Sequence, residues 1–307
     1  MSRTEHPFRS GGVECAAWLY RPSRPGTAPG VVMAHGFGMT RACRLDALAE
    51  RFAGAGMAVL LFDYRGFGDS AGEPRQVVDI TGQRADWRAA VAHIRTTPGI
   101  DPARIALWGS SFSGGHVLAV AAADTRLAAV VAQVPFVDGP ALLRGLGARR
   151  GKRRTPVSAA ARHGLMLLRN AVRDEVRRRR GRPPVLVPVA GEIGSGAIIA
   201  GAGVEAAIRH LVPDDVAWRN EVAASIALRI PFDRPGRCAA AITCPLLIAV
   251  CEQDMVAPPA AAAVVAAAAP RGELRRYPFT HVGACIGAGF EALSTDQVSF
   301  LTRHLRP

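Results

Sequence analysis

"IALWGSSFSGG", residues 105–115, runs an apolar segment into three serines and a glycine pair with no linker between them. "RIALWG" (104–109) reads as a short buried strand and "SGGHVLAVAAA" (113–123) as a helix that starts at once. A reversal that sharp admits only small residues around its tip, because the helix packs directly against the strand it leaves. Ser111 meets that demand, with Gly109 two before it, Ser113 two after it and Gly114 next. Ser113 has usable flanks of its own in Ser111 and Gly115, but it falls inside the helix. Ser110 would put Trp108 at the point of close approach. Ser111 is the candidate nucleophile and Ser113 the second choice.

Outward from this turn, strand-like and helical patterns alternate, the mark of βαβ units and a parallel sheet. Strands are predicted at 12–22 (pairing back before Gly11–Gly12), 29–38, 57–66, 127–136, 245–254 and 272–279. Helices are predicted at 45–56, 83–97, 258–269 and 290–305. The rhythm breaks between 140 and 234. The expected organisation is a core in two parts, 1–139 and 235–307, carrying a mostly helical, arginine-rich cap insertion at 140–234.

Composition narrows the function. With 49% hydrophobic and 21% charged residues the chain reads as globular. The most apolar window, 185–204, holds Glu192, Pro188 and five glycines, so it reads as buried or pocket-lining and no transmembrane segment is expected. No leader pattern is read at the start, and the six cysteines show no CxxC or metal-type spacing. A cytoplasmic protein with reduced, buried cysteines and no metal or cofactor is expected. The formal charge of +13 is local: residues 144–182 hold fourteen Lys and Arg against Asp174 and Glu175, a net of +12, which leaves +1 elsewhere. "GLGARRGK" (145–152) fails as a P-loop, because neither Gly145 nor Gly147 leaves the required four residues before Gly151 and Arg153 replaces the magnesium-binding hydroxyl. Nucleic acid is not expected as a partner by the same reading, with 6% aromatic residues and no recognition motif.

"HGFG" (35–38), "DYRGFGDS" (63–70) and G-x-S-F-x-G (109–114) together resemble the α/β-hydrolase superfamily over about 210 residues. The last motif, with Ser113 in place of the commonest second glycine, is similar to the elbow of X-prolyl dipeptidyl peptidase and cocaine-esterase-like hydrolases. The surrounding stretches look like dienelactone-hydrolase-like and polyketide-modifying hydrolases. The resemblance implies an α/β-hydrolase fold, a mostly parallel doubly wound sheet with a helical cap. It also implies a triad in the chain order Ser…Asp…His. Asp254, in "IAVCEQDMVAPP", stands just beyond a strand, and His281, in "YPFTHVGACIG", stands in the loop after the last one. Asp138, after the strand ending at Phe136, is an alternative acid. The backbone N–H groups of Phe37 and Phe112 would form the oxyanion hole. His35 is read as supporting its turn, and Asp63 and Arg65 as pinning the loop after their strand.

The expected chemistry is hydrolysis of a small-molecule carboxylic ester or thioester through an acyl-Ser111 intermediate. Acyl transfer or polyketide modification on the same triad, or partner binding without catalysis, are the alternatives. In the cap, Leu165, Leu167, Leu168, Val172 and Val176 fit one helical face, with Arg169, Arg173, Arg177 and Arg180 largely off it. That basic segment reads as a solvated face, as a dock for coenzyme A or an acyl carrier protein, or as a contact for an anionic membrane.

Overall fold

The structure, a computed structural model, describes residues 1–142 and 157–306. Its centre is an eight-stranded sheet of β1 (Ser2–Glu5), β2 (Ala17–Arg21), β3 (Ala28–Ala34), β4 (Ala58–Phe62), β5 (Ile100–Ser110), β6 (Ala129–Gln133), β7 (Leu246–Cys251) and β8 (Gly272–Tyr277), in the order β1-β2-β4-β3-β5-β6-β7-β8. Only β2 runs against the others. The predicted strand at 12–22 is broken at Ala16. Its first part, Val13–Cys15, pairs as expected with Phe8–Ser10, and its second part is β2.

The sheet is covered on both faces, and the two-residue period of a strand decides which side chains go where. Val31 and Met33 of β3 and Val59 and Leu61 of β4 meet Leu48 and Phe52 of α1 (Asp46–Gly54) and Phe300 and Leu301 of α7 (Gly287–His304). Val32, Ala34, Leu60 and Phe62 point the other way, to Trp87 and Val91 of α2 (Ile80–Arg95), Val117 and Leu118 of α3 (Phe112–Ala121) and Val265 of α6 (Pro259–Ala268). Strands β4, β6 and β7 are buried at every residue, as double coverage requires. The sheet's directional consequence is functional: the parallel strands deliver the loops after β3, β5 and β7 to a common edge.

The stretch between Phe136 and Pro235 leaves and rejoins the core at one place. The Gly139 N–H donates to Asp233 O (2.9 Å) and the Gly236 N–H to Val137 O (2.9 Å). Gly139 is required there, since a Cβ would stand 2.1 Å from Ile230 O. Helix α4 (Val157–Arg179) is the long element of this stretch. After it come α5 (Val204–Arg209), two small two-stranded pairings (186–187 with 222–223, 190–191 with 199–200) and 3₁₀ turns at 224–232. Helical character is thus concentrated in α4. Pro183, Pro184 and Pro188 with the glycines from 191 to 203 prevent a second long helix. The rejected "GLGARRGK" (145–152) and the first cations of the basic segment, through Arg154, lie outside the described residues.

Leu165, Leu168, Val172 and Val176 are exposed, and of the apolar residues named for that face only Leu167 packs partly against the core. One sequence expectation, that the cysteines are buried, is corrected. Cys238 and Cys285 are half-buried, whereas Cys15, Cys43, Cys244 and Cys251 are buried; all six are free thiols.

Candidate active site

β5 ends at Ser110 and α3 begins at Phe112, so Ser111 alone makes the turn. It does so at φ 57°, ψ −120°, a backbone conformation that costs an L-residue on the order of 1–3 kcal/mol. Backbone hydrogen bonds hold it there: the Ser111 N–H donates to Gln133 O (2.9 Å), and Ser111 O accepts from Phe136 N (2.9 Å). Small neighbours are obligatory. A Cβ on Gly109 would lie 2.5 Å from Ser113 O, and one on Gly114 2.8 Å from the Pro135 side chain. Beneath the turn a chain of buried amides braces β5, β6 and α7. The Trp108 indole N–H donates to Gln297 Oε1 (2.8 Å), and Gln297 Nε2 donates to Gln133 Oε1 (2.7 Å).

The loops after β7 and β8 bring Asp254 and His281 to Ser111. His281 Nε2 lies 3.0 Å from Ser111 Oγ and its Nδ1 lies 2.7 Å from Asp254 Oδ2. The Asp254 carboxylate is almost wholly buried, and its Oδ1 accepts from the N–H groups of Val256 (2.7 Å) and Ala257 (2.8 Å). With that orientation Nδ1 carries the imidazole proton and Nε2 is left to accept from the serine hydroxyl. The alternative acid, Asp138, is not part of this relay: it accepts from Ala141 N (2.7 Å) and Arg234 Nε (2.7 Å). Ser113 is buried within α3, where its hydroxyl accepts from Tyr64 OH (3.1 Å).

Phe37 and Phe112 face one another with their rings edge to face, 5.3 Å between centroids. No acceptor among the described residues takes the N–H of either. The turn bearing Phe37 is braced from behind by a cluster the sequence reading assigned only in part. Asp63 binds the backbone N–H of Arg41 (2.7 Å) and its guanidinium (2.9 Å), and Arg41 also stacks over Trp18. Asp63 thus pins the turn after β3 as well as its own loop, where Ser70 Oγ donates to Asp63 O (2.7 Å). Arg65 is held by Asp86 instead (Nε to Oδ1, 2.8 Å). Burial raises the Asp63 carboxyl to about 6 against the pull of Arg41. Burial lowers His35 to about 4, so its ring is neutral near pH 7, with Nδ1 donating to Gly36 O (2.9 Å).

The stretch following α4 roofs the site. The Trp218 indole N–H donates to Gly38 O (2.8 Å), Val189 fills the space a Cβ on Gly38 would need, and Arg44 Nε donates to His210 O (2.8 Å). Below the roof is a cavity of about 260 Å³ that reaches Ser111 and His281. Its walls are apolar for the most part, with Phe37, Met39, Val204, Ile208, Leu211 and Val282 prominent. Arg44 is the one residue with a full charge among the described lining residues, and no carboxylate joins it.

A sheet of this order, with a strained serine between the fifth strand and the next helix, defines an α/β hydrolase. The comparisons agree: the model of the X-Pro dipeptidyl-peptidase (S15) family matches residues 11–282, and the chain belongs to that family. It is an enzyme of the hydrolase class. It is 41% identical to the quorum-quenching protein AidA of Acinetobacter baumannii, across 96% of this chain and 93% of that one. It is 42% identical to the thiohydrolase AneE of Aspergillus aculeatus over a shorter stretch, 36% of this chain and 35% of that one. The crystal structure of the α/β hydrolase GrgF from Penicillium superposes with a TM-score of 0.81 at 26% identity, covering 99% of both chains. No described helix is long and apolar enough to cross a membrane.

Proposed function

We propose that the protein cleaves a small ester or thioester with an apolar acyl group, through an acyl-Ser111 intermediate. The observation that carries this reading is the relay of 3.0 Å and 2.7 Å from Ser111 through His281 to Asp254. His281 Nε2 takes the Ser111 proton as Oγ attacks the carbonyl carbon, and Asp254 stabilises the imidazolium that results. The Phe37 and Phe112 N–H groups receive the oxyanion of the tetrahedral intermediate. His281 then protonates the departing alcohol or thiol. Water, deprotonated by the same nitrogen, releases the acid and restores Ser111.

The cavity argues for an acyl substrate over a peptide. A peptide amino terminus is a cation and calls for a carboxylate, whereas the charge on the described lining is that of Arg44. The quorum-quenching relative favours a small signalling molecule as substrate, and the thiohydrolase relative favours a thioester. Acyl transfer is the second reading, favoured by the roof over the cavity, which restricts water. A protein that only binds partners would have no use for a strained serine aligned with a histidine held by a buried aspartate.

The test is steady-state kinetics on matched acyl esters and acyl thioesters with wild type, Ser111→Ala and Ser113→Ala. Ser111→Ala is expected to lower kcat by at least about a thousandfold, and Ser113→Ala to retain turnover. Equal activity in all three proteins would refute the mechanism. An added alcohol that diverts product from acid to ester would favour the transferase reading.

A further inference from the structure

Helix α4 wears its apolar face outward. Leu165 is 68% exposed, Leu168 52%, Val172 49% and Val176 42%. Their spacing of three, four and four places them in one stripe, roughly 16 Å long at 1.5 Å per residue. Surface helices ordinarily turn such a stripe to the core. Here the inward face is another one: Ala160 and Ala171 are buried, and Asp174 accepts from Val185 N (2.7 Å) and Ser225 N (2.8 Å).

Beside the stripe runs a row of cations. Arg162, Arg169 and Arg173 are exposed and form no ion pair among the described residues, and Arg180 continues the row past the helix end. The helix offers no free carboxylate to offset them. Asp174 is buried, and Glu175 is held by Arg178, Arg179 and Arg229, which keep its carboxyl well below its usual range. The outer face of α4 is therefore apolar along its middle and positive along its flank.

We infer that this face of α4 is a docking surface for an anionic lipid bilayer. Leucine and valine tips on a protruding helix enter the interface between headgroups and acyl chains, while arginines beside them reach lipid phosphates. Two copies docked stripe to stripe with their helices antiparallel would instead bring two arginine rows together with no carboxylate between them. The stripe lies on the outer curve of a single helix, a convex shape that fits a broad surface. Docking there would also bear on the site, because α4 holds the roof: His163 Nδ1 accepts from Gly194 N (2.9 Å), just before the residues that line the cavity.

The experiment is flotation of the full-length protein with phosphatidylcholine vesicles made with and without phosphatidylglycerol. The expected result is flotation with phosphatidylglycerol only, weakened by added salt. Arg162→Gln/Arg169→Gln/Arg173→Gln is expected to bind roughly a hundredfold more weakly. Leu165→Ser/Leu168→Ser/Val172→Ser is expected to stay in the unfloated fraction while hydrolysing a water-soluble ester as wild type does, which shows that it folds. Three results would overturn the inference: no flotation of the wild type, flotation of the stripe variant equal to wild type, or a wild-type dimer that the stripe variant dissolves. Preference for an acidic amphipathic peptide over vesicles would reassign the face to a protein partner.

Discussion

At the scale of the residue, the site depends on positions that tolerate no added atom. Gly109→Ala would drive a Cβ into the backbone at Ser113, 2.5 Å away, so the variant is expected to lose about 3 kcal/mol or fail to fold, read by urea denaturation. Asp254→Asn removes the charge that orients His281 while leaving the shape intact. By analogy with other serine triads, kcat is expected to fall about 10⁴-fold with little change in melting temperature. The candidate triad of Ser111, Asp254 and His281 was legible because the family resemblance implies the order Ser…Asp…His and each residue stands at the end of a strand whose apolar pattern is strong. Asp138 stood at such a strand end too, and only geometry separates it from Asp254 by showing it engaged with Arg234. Arg41, Gln133 and Gln297 were not legible as parts of the site. Gln133 and Gln297 are 164 positions apart, and no local periodicity announces a contact made only by the closed sheet.

At the scale of the element, the core strands and helices followed their periods, and the segment after α4 did not. Strands covered on both faces are runs of Val, Leu, Ile and Ala, which leave little ambiguity. The insertion was harder. The pattern of α4 correctly suggested an amphipathic helix, but amphipathicity does not say which face meets the protein. A buried Asp174 with two backbone donors outcompeted the leucines for the inward position. The roof earns a test of its own at Trp218, whose indole N–H bonds Gly38 O across 180 positions. Trp218→Phe keeps most of the packing and deletes that bond, worth about 1 kcal/mol. The expected effect is a drop of roughly fivefold in kcat/KM, larger for bulky acyl groups than for acetyl. No dependence on acyl size would argue against the roof as a wall of the acyl site.

At the scale of the whole molecule, buried imidazoles set the response to acid. Burial, helped by Arg84, holds His116 well below the ordinary 6.5, while its Nε2 meets Gln83. The unfolded chain therefore binds a proton below pH 6.5 that the folded one refuses, so the associated stability is present above 6.5 and lost as pH falls. Asp63, raised to about 6, works in the opposite sense between its folded value and 3.8. Relative to the wild type, His116→Gln is expected to lose less stability between neutrality and about pH 5, by up to about 2 kcal/mol, in thermal melts at the two pH values. Parallel losses in both proteins would show that His116 is not the group responsible. Charge, too, is organised at this scale: an excess of +12 in 144–182 against +1 elsewhere sets one polycationic segment on an otherwise balanced enzyme. The central claim, that His281 and Asp254 activate Ser111 for covalent chemistry, is tested most directly by a fluorophosphonate, which phosphonylates an activated serine. Intact-mass and peptide analysis should find one adduct per chain, on Ser111, absent in Ser111→Ala and greatly slowed in His281→Ala. An adduct on Ser110 or Ser113, or undiminished labelling of His281→Ala, would contradict it.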